Sequence, residues 1–145
     1  HGVPLIIQKL NGEKIKRNTS YANKAKTILG KHCKKCFYCN KTLDHTKKDK
    51  TQLEHVIPFN YITEDNIWNY RLSCQKCNCY KLGALPQKLF ISKLIKKLKD
   101  ERKKIPMLDN ELNQLGKDFG NVIMNHYVNA KKVGYMPKKM PPKIP

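Results

Sequence analysis

LEHVIPFN, residues 53–60, sets a carboxylate, Glu54, directly before an imidazole, His55, with an apolar pair and a proline behind them. Alone, the pair reads as well for a polar break in a strand as for a catalytic couple. Asn78, further along, adds an amide oxygen. The oxygens of Glu54 and Asn78 are hard donors of the kind Mg²⁺ or Mn²⁺ prefers. The neutral imidazole of His55 can take a proton from water. A divalent ion held beside it polarises a phosphate and stabilises a departing oxygen. The chemistry these residue types suggest is metal-assisted hydrolysis, and the net charge of +19 makes a phosphodiester the natural substrate.

The cysteines bracket this trio. CFYC (36–39) and CQKC (74–77) are two Cys-x-x-Cys pairs with 34 residues between them. Each can present two thiolates at a tight turn, and together they complete a tetrahedral Zn²⁺ site. A zinc on Cys36, Cys39, Cys74 and Cys77 would staple a small, lysine-rich domain. Cys33 and Cys36 offer a competing knuckle. The pair Cys36 and Cys39 is preferred because Phe37 and Tyr38 between them suit a turn that also packs on a core. Cys33 and Cys79 then remain as free thiols.

These residues need elements to hold them. TQLEHVIP reads as one strand and NYRLSC as the next, and CNCYKLG starts a helix. Such a strand–loop–strand–helix unit, closed at its ends by zinc, would bring Glu54, His55 and Asn78 to one concave surface. Trp68 reads as a core or loop anchor. Before this core, VPLIIQKLNGEKIKR suggests two short strands around Asn11–Gly12. NTSYANKAKTILGKH suggests a short helix capped at Asn18, Thr19 or Ser20 and stopped at Gly30. After it, Phe90, Ile91, Leu94, Ile95 and Leu98 fall at helical spacing in a helix from about Gln87 to Lys104, ended by Pro106. A second helix is expected from about Asp109, with Leu112, Leu115, Phe119, Val122, Ile123 and Tyr127 on its apolar side. The tail GYMPKKMPPKIP should be extended and irregular rather than packed. The expected organisation is an N-terminal extension (1–32), a zinc-stapled core (33–86), a basic helical region (87–130) and a basic, proline-rich tail (131–145).

Charge names the partner class. Lys plus Arg outnumber Asp plus Glu by 30 to 11, a formal net charge of +19 on 145 residues. So much like charge repels itself, and a polyanion is the usual partner that offsets it. No apolar run is long enough for a membrane span, and no signal peptide is visible, so a cytoplasmic protein is expected. Arg71, on the second strand, and Lys93, Lys96 and Lys97, on the basic helix face, are candidate phosphate contacts.

CFYCNKTL, then LEHVIP, then NYRLSCQKCNCYK resembles the HNH endonucleases, an α+β family with a ββα-metal core and an embedded four-cysteine zinc. The resemblance covers residues 33 to about 86. It implies that His55 is the general base, that Glu54 and Asn78 bind the catalytic Mg²⁺ or Mn²⁺, and that the four cysteines bind structural Zn²⁺. Many relatives carry Asp where this chain has Glu54. Asn69 matches a position that holds the loop between the strands and orients the histidine. Lys81 matches a basic position near the scissile phosphate. The implied substrate is double-stranded DNA, with 5′-phosphate and 3′-hydroxyl products, cut by a homodimer if the site is palindromic. Restriction, homing, phage and defence nucleases all remain open. The rival readings are a non-catalytic, zinc-stapled DNA- or RNA-binding module and a ribosome-associated zinc protein. Neither explains why Glu54, His55, Asn69 and Asn78 occur together.

Overall fold

The computed structural model describes residues 18–47 and 50–142. The two strands anticipated before residue 18 lie outside that range. Within it, five α-helices surround one two-stranded antiparallel sheet, an α+β arrangement.

Helix α1 spans Thr19–His32, and Asn18 caps it by accepting the Tyr21 N–H at 3.0 Å. It runs two residues past Gly30. Strand β1, Thr51–His55, pairs with β2, Tyr70–Cys74. The register sets Thr51 opposite Cys74, Glu54 opposite Arg71 and His55 opposite Tyr70. A 3₁₀ turn, Ile67–Asn69, leads into β2. Helix α2, Gln75–Lys81, follows at once, with the Cys74 sulfur as its cap. This is the expected strand–loop–strand–helix order.

Beyond it, helix α3 spans Lys88–Glu101 and buries Phe90, Ile91, Leu94 and Leu98. The following region differs from the sequence reading, which has two helices after residue 87 where the chain forms three. Pro106 opens helix α4, Pro106–Leu115, from its first turn, where a missing N–H costs nothing. Gly116, at φ 102°, breaks the chain before α5, Phe119–Lys132. The apolar spacing continues across that break and hides it.

The proline-rich tail is a second difference. Over residues 134–142 it has no helix or named strand, but it is packed. Pro137 bridges to Leu85, the Lys138 N–H donates to the Leu85 carbonyl at 2.8 Å, and Met140 is buried. A tail without helical or strand periodicity gives no sequence signal for docking; single contacts carry it, among them the Met140 N–H to Gln87 Oε1 at 2.8 Å.

One apolar cluster joins all these parts. Phe37 and Tyr38 from the first cysteine turn meet Phe90 of α3 at ring separations of 6.0 and 5.1 Å. Trp68 is 1% exposed and stacks on His126 of α5, as suits a core anchor. Burying each such side chain contributes roughly 2–3 kcal/mol. The sheet that carries Glu54 and His55 is therefore fixed by helices distant in sequence. No helix among the described residues is long and apolar enough to cross a membrane.

Candidate active site

The zinc cluster assembles first. The sulfurs of Cys36, Cys39, Cys74 and Cys77 all lie within 4.8 Å of one another, and Cys39 and Cys74 are 3.8 Å apart. Four sulfurs bound tetrahedrally at about 2.3 Å from zinc sit about 3.8 Å apart, so the spacing fits. Two local devices shape the cluster. In the first turn, Asn40 adopts a left-handed conformation (φ 62°), its N–H returning to the Cys36 carbonyl at 3.0 Å. In the second, the Cys77 N–H points at the Cys74 sulfur from the first turn of α2. Burial pushes the Cys36 and Cys77 thiols up. Burial pushes the same way at Cys74, but hydrogen bonds from Cys77 and from the neighbouring thiols outweigh it and bring that thiol down. A soft divalent cation is what lets all four sit together as thiolates, and the donor set suits structural zinc. Cys33 and Cys79 are not in the cluster. Cys33 lies 3.9 Å from Glu101, and Cys79 is exposed.

The first cysteine turn also reaches the site. The Phe37 N–H donates to the Leu72 carbonyl at 3.0 Å, docking the turn onto β2. That placement lets the buried Tyr38 hydroxyl donate to Glu54 Oε1. Glu54 Oε2 pairs with Lys81 Nζ of α2 at 3.0 Å, and Nζ also donates to the His55 carbonyl at 2.8 Å. Burial raises the Glu54 carboxyl pKa, against Lys81 and Tyr38, which lower it.

Successive residues on a strand point to opposite faces, so Glu54 and His55 are not a directly bonded couple. Both still border one cavity of about 460 Å³, together with Asn78 of α2. Thr19, Asn23 and Lys26 of α1 line its other wall. The His55 ring lies 4.3 Å from that of Tyr70 and 5.2 Å from that of Phe59. Its Nε2 is 3.3 Å from Asp65 Oδ1.

Asn69 is fully buried and holds the chain just beyond His55. Its Oδ1 accepts the Ile57 N–H at 2.9 Å, and its Nδ2 donates to the Ile57 carbonyl at 2.8 Å. Its own carbonyl takes the Val56 N–H at 2.9 Å.

Two expected phosphate contacts lie elsewhere. Arg71 is 1% exposed, its guanidinium engaged by both oxygens of Glu101 at 2.8 and 2.9 Å, which ties β2 to α3. Lys81 is equally buried, its ammonium absorbed by Glu54 and the His55 carbonyl. Both cations are desolvated and paired within the chain, so their charge is offset by Glu101 and Glu54 before any other partner arrives. Lys93 turns inward to the Phe37 carbonyl. Lys93 and Lys97 border a separate cavity with Arg71 and Glu101, while Lys96 is exposed. Sequence reasoning missed Asp65, the Tyr38 hydroxyl and the α1 wall. Asp65 lies in the polar stretch TEDN with no motif spacing, and only the folded loop brings it to His55.

For a catalytic divalent ion, the donors Glu54 and Asn78 fit by type and by their common cavity. Each carboxylate oxygen of Glu54 takes one hydrogen bond, while a carboxylate offers about four lone-pair sites in all. The charge of Glu54 is already offset by Lys81, so a cation there competes with the lysine ammonium.

Residues 36–87 match the family model of the HNH endonucleases. No curated protein and no solved structure matches the chain.

Proposed function

We propose, from the HNH endonuclease match over residues 36–87, that this chain is a divalent-metal-dependent endonuclease acting on DNA. The observation that carries the reading is the shared cavity of Glu54, His55 and Asn78 inside the matched segment. His55 takes the proton of the attacking water as general base. Asn69 is a positioning residue, whose two bonds to Ile57 hold the chain leaving β1. Glu54 and Asn78 would hold the catalytic ion, and Lys81 and Tyr38 hold Glu54. When bound, Mg²⁺ or Mn²⁺ supplies Lewis acidity toward the phosphate and the leaving 3′-oxygen. The four-cysteine zinc is structural: it anchors the turn that carries Tyr38.

Double-stranded DNA is the proposed substrate, supported by the net charge of +19. The α1 wall, with Asn23 and Lys26, borders the cavity and offers a polar surface for the strand to be cut. Lys96 and Lys97 lie exposed on α3 and suit backbone contacts further along a duplex.

Incubating zinc-loaded protein with supercoiled plasmid and Mg²⁺ or Mn²⁺ tests the reading. Nicked or linear product that vanishes with chelator and returns with the ion is expected. Tight binding without any strand cleavage in either ion identifies a non-catalytic zinc module instead.

A further inference from the structure

The loop between the strands delivers to His55 a carboxylate that is none of the motif residues named above. Asp65 Oδ1 lies 3.3 Å from His55 Nε2 and accepts the Tyr70 hydroxyl at 2.5 Å. Asp65 Oδ2 accepts the Asn18 N–H at 2.7 Å. The carboxylate is thus held from two elements, the cap of α1 and the first residue of β2. Tyr70 stands opposite His55 in the strand register, so the ring that packs on the imidazole also aims the carboxylate. The side chains of His55 and Asp65 are each only 8% exposed, which strengthens a charge-assisted contact.

We propose that Asp65 is the positioning residue of His55, holding the imidazole proton on Nε2 so that Nδ1 carries the basic lone pair. A carboxylate only accepts, so the ring nitrogen that faces it carries the hydrogen and the other keeps the lone pair. The inference rests on His55 being the base in the reading above. In the reaction, a water proton passes to Nδ1 as the water oxygen bonds to phosphorus. The bond from phosphorus to the 3′-oxygen breaks, and solvent protonates the leaving oxygen. The Asp65 carboxylate faces the imidazolium so formed and keeps its orientation. Asp65 also latches α1, one wall of the cavity, to the base.

A merely structural latch would leave the ring tautomer unaffected, so the tautomer is the direct readout. Nitrogen-15 NMR of the zinc-loaded full chain, in the alkaline range where the ring is neutral, reports which His55 nitrogen carries hydrogen. The wild-type ring should show the proton on Nε2. Asp65→Asn, which keeps the shape and an acceptor oxygen, should give a mixed or reversed tautomer. Its kcat should fall at least about tenfold, with KM for DNA within about twofold. A wild-type ring protonated on Nδ1 overturns the proposal without needing any variant. So does an Asp65→Asn protein with unchanged tautomer and kcat. A wild-type protein that cuts no DNA yet shows the Nε2 tautomer sinks the nuclease reading instead, so the two failures are distinguishable.

Discussion

Asn69 grips Ile57 by both of its backbone polar groups, taking the N–H at 2.9 Å and giving to the carbonyl at 2.8 Å. One amide side chain thereby fixes the path of the chain two residues after His55. Both bonds are buried, and losing them leaves an N–H and a carbonyl unsatisfied. Asn69→Ala should therefore cost about 2 kcal/mol or more in stability. Asn69→Asp should also be impaired, because a carboxylate cannot donate to the Ile57 carbonyl. Denaturant unfolding measures the first effect. Under the proposed function, plasmid nicking should fall in both variants.

Lys81 and Glu54 form a buried ion pair at 3.0 Å. Removing one partner of such a pair leaves the other charge without compensation. Lys81→Met should lower stability by about 3 kcal/mol or more. Because Lys81 is the cation already beside Glu54, added Mg²⁺ or Mn²⁺ should stabilise Lys81→Met more than wild type. Thermal melts with and without the ion read this difference, and equal shifts would count against Glu54 as a ligand.

The zinc site makes a separate prediction. Cys74 ends β2, caps α2 and belongs to the four-sulfur cluster. Cys74→Ser should bind less than one zinc per chain and lose the cooperative melt, since binding energy at a structural zinc is folding energy. Cys79→Ser, at an exposed thiol outside the cluster, should leave both unchanged. Metal analysis with circular dichroism separates the two variants.

Much of this was readable in the sequence, for a physical reason. The cysteine pairs, Glu54, His55 and the two asparagines are types whose chemistry restricts their use, and the segments that carry them, TQLEHVIP, NYRLSC and CNCYKLG, read as β1, β2 and α2. For Arg71 and Lys81 the sequence shows only a basic residue near a motif, which suggests phosphate. Their burial depends on partners, Glu101 and Glu54, that spacing does not reveal. Asp65 is one acidic residue in a polar loop, and its contact to His55 exists only once Tyr70 and Asn18 have placed it. Tyr38 read as core filling, which its ring is, but its hydroxyl works on Glu54. The break at Gly116 was masked because Leu115 and Phe119 keep helical spacing on either side.

His126 gives a pH prediction. Burial holds its imidazole pKa below the ordinary 6.5. The folded chain thus takes up a proton there less readily than the unfolded chain. The stability it contributes is complete above that ordinary value and is lost as pH falls through the lowered folded value. Tm should drop on acidification from neutral toward about pH 5. His126→Phe, which keeps a ring against Trp68, should make that drop shallower. An unchanged slope would contradict the assignment.

His55 is the proposed base, and replacing it by alanine removes the only group assigned to take the proton of the attacking water. Zinc-loaded wild type and variant are compared for plasmid cleavage in Mg²⁺ or Mn²⁺ and for duplex binding in the same buffer. Wild type should cleave, the variant should show no cleavage above background, and binding should change little. Cleavage by His55→Ala at the wild-type rate would contradict that role.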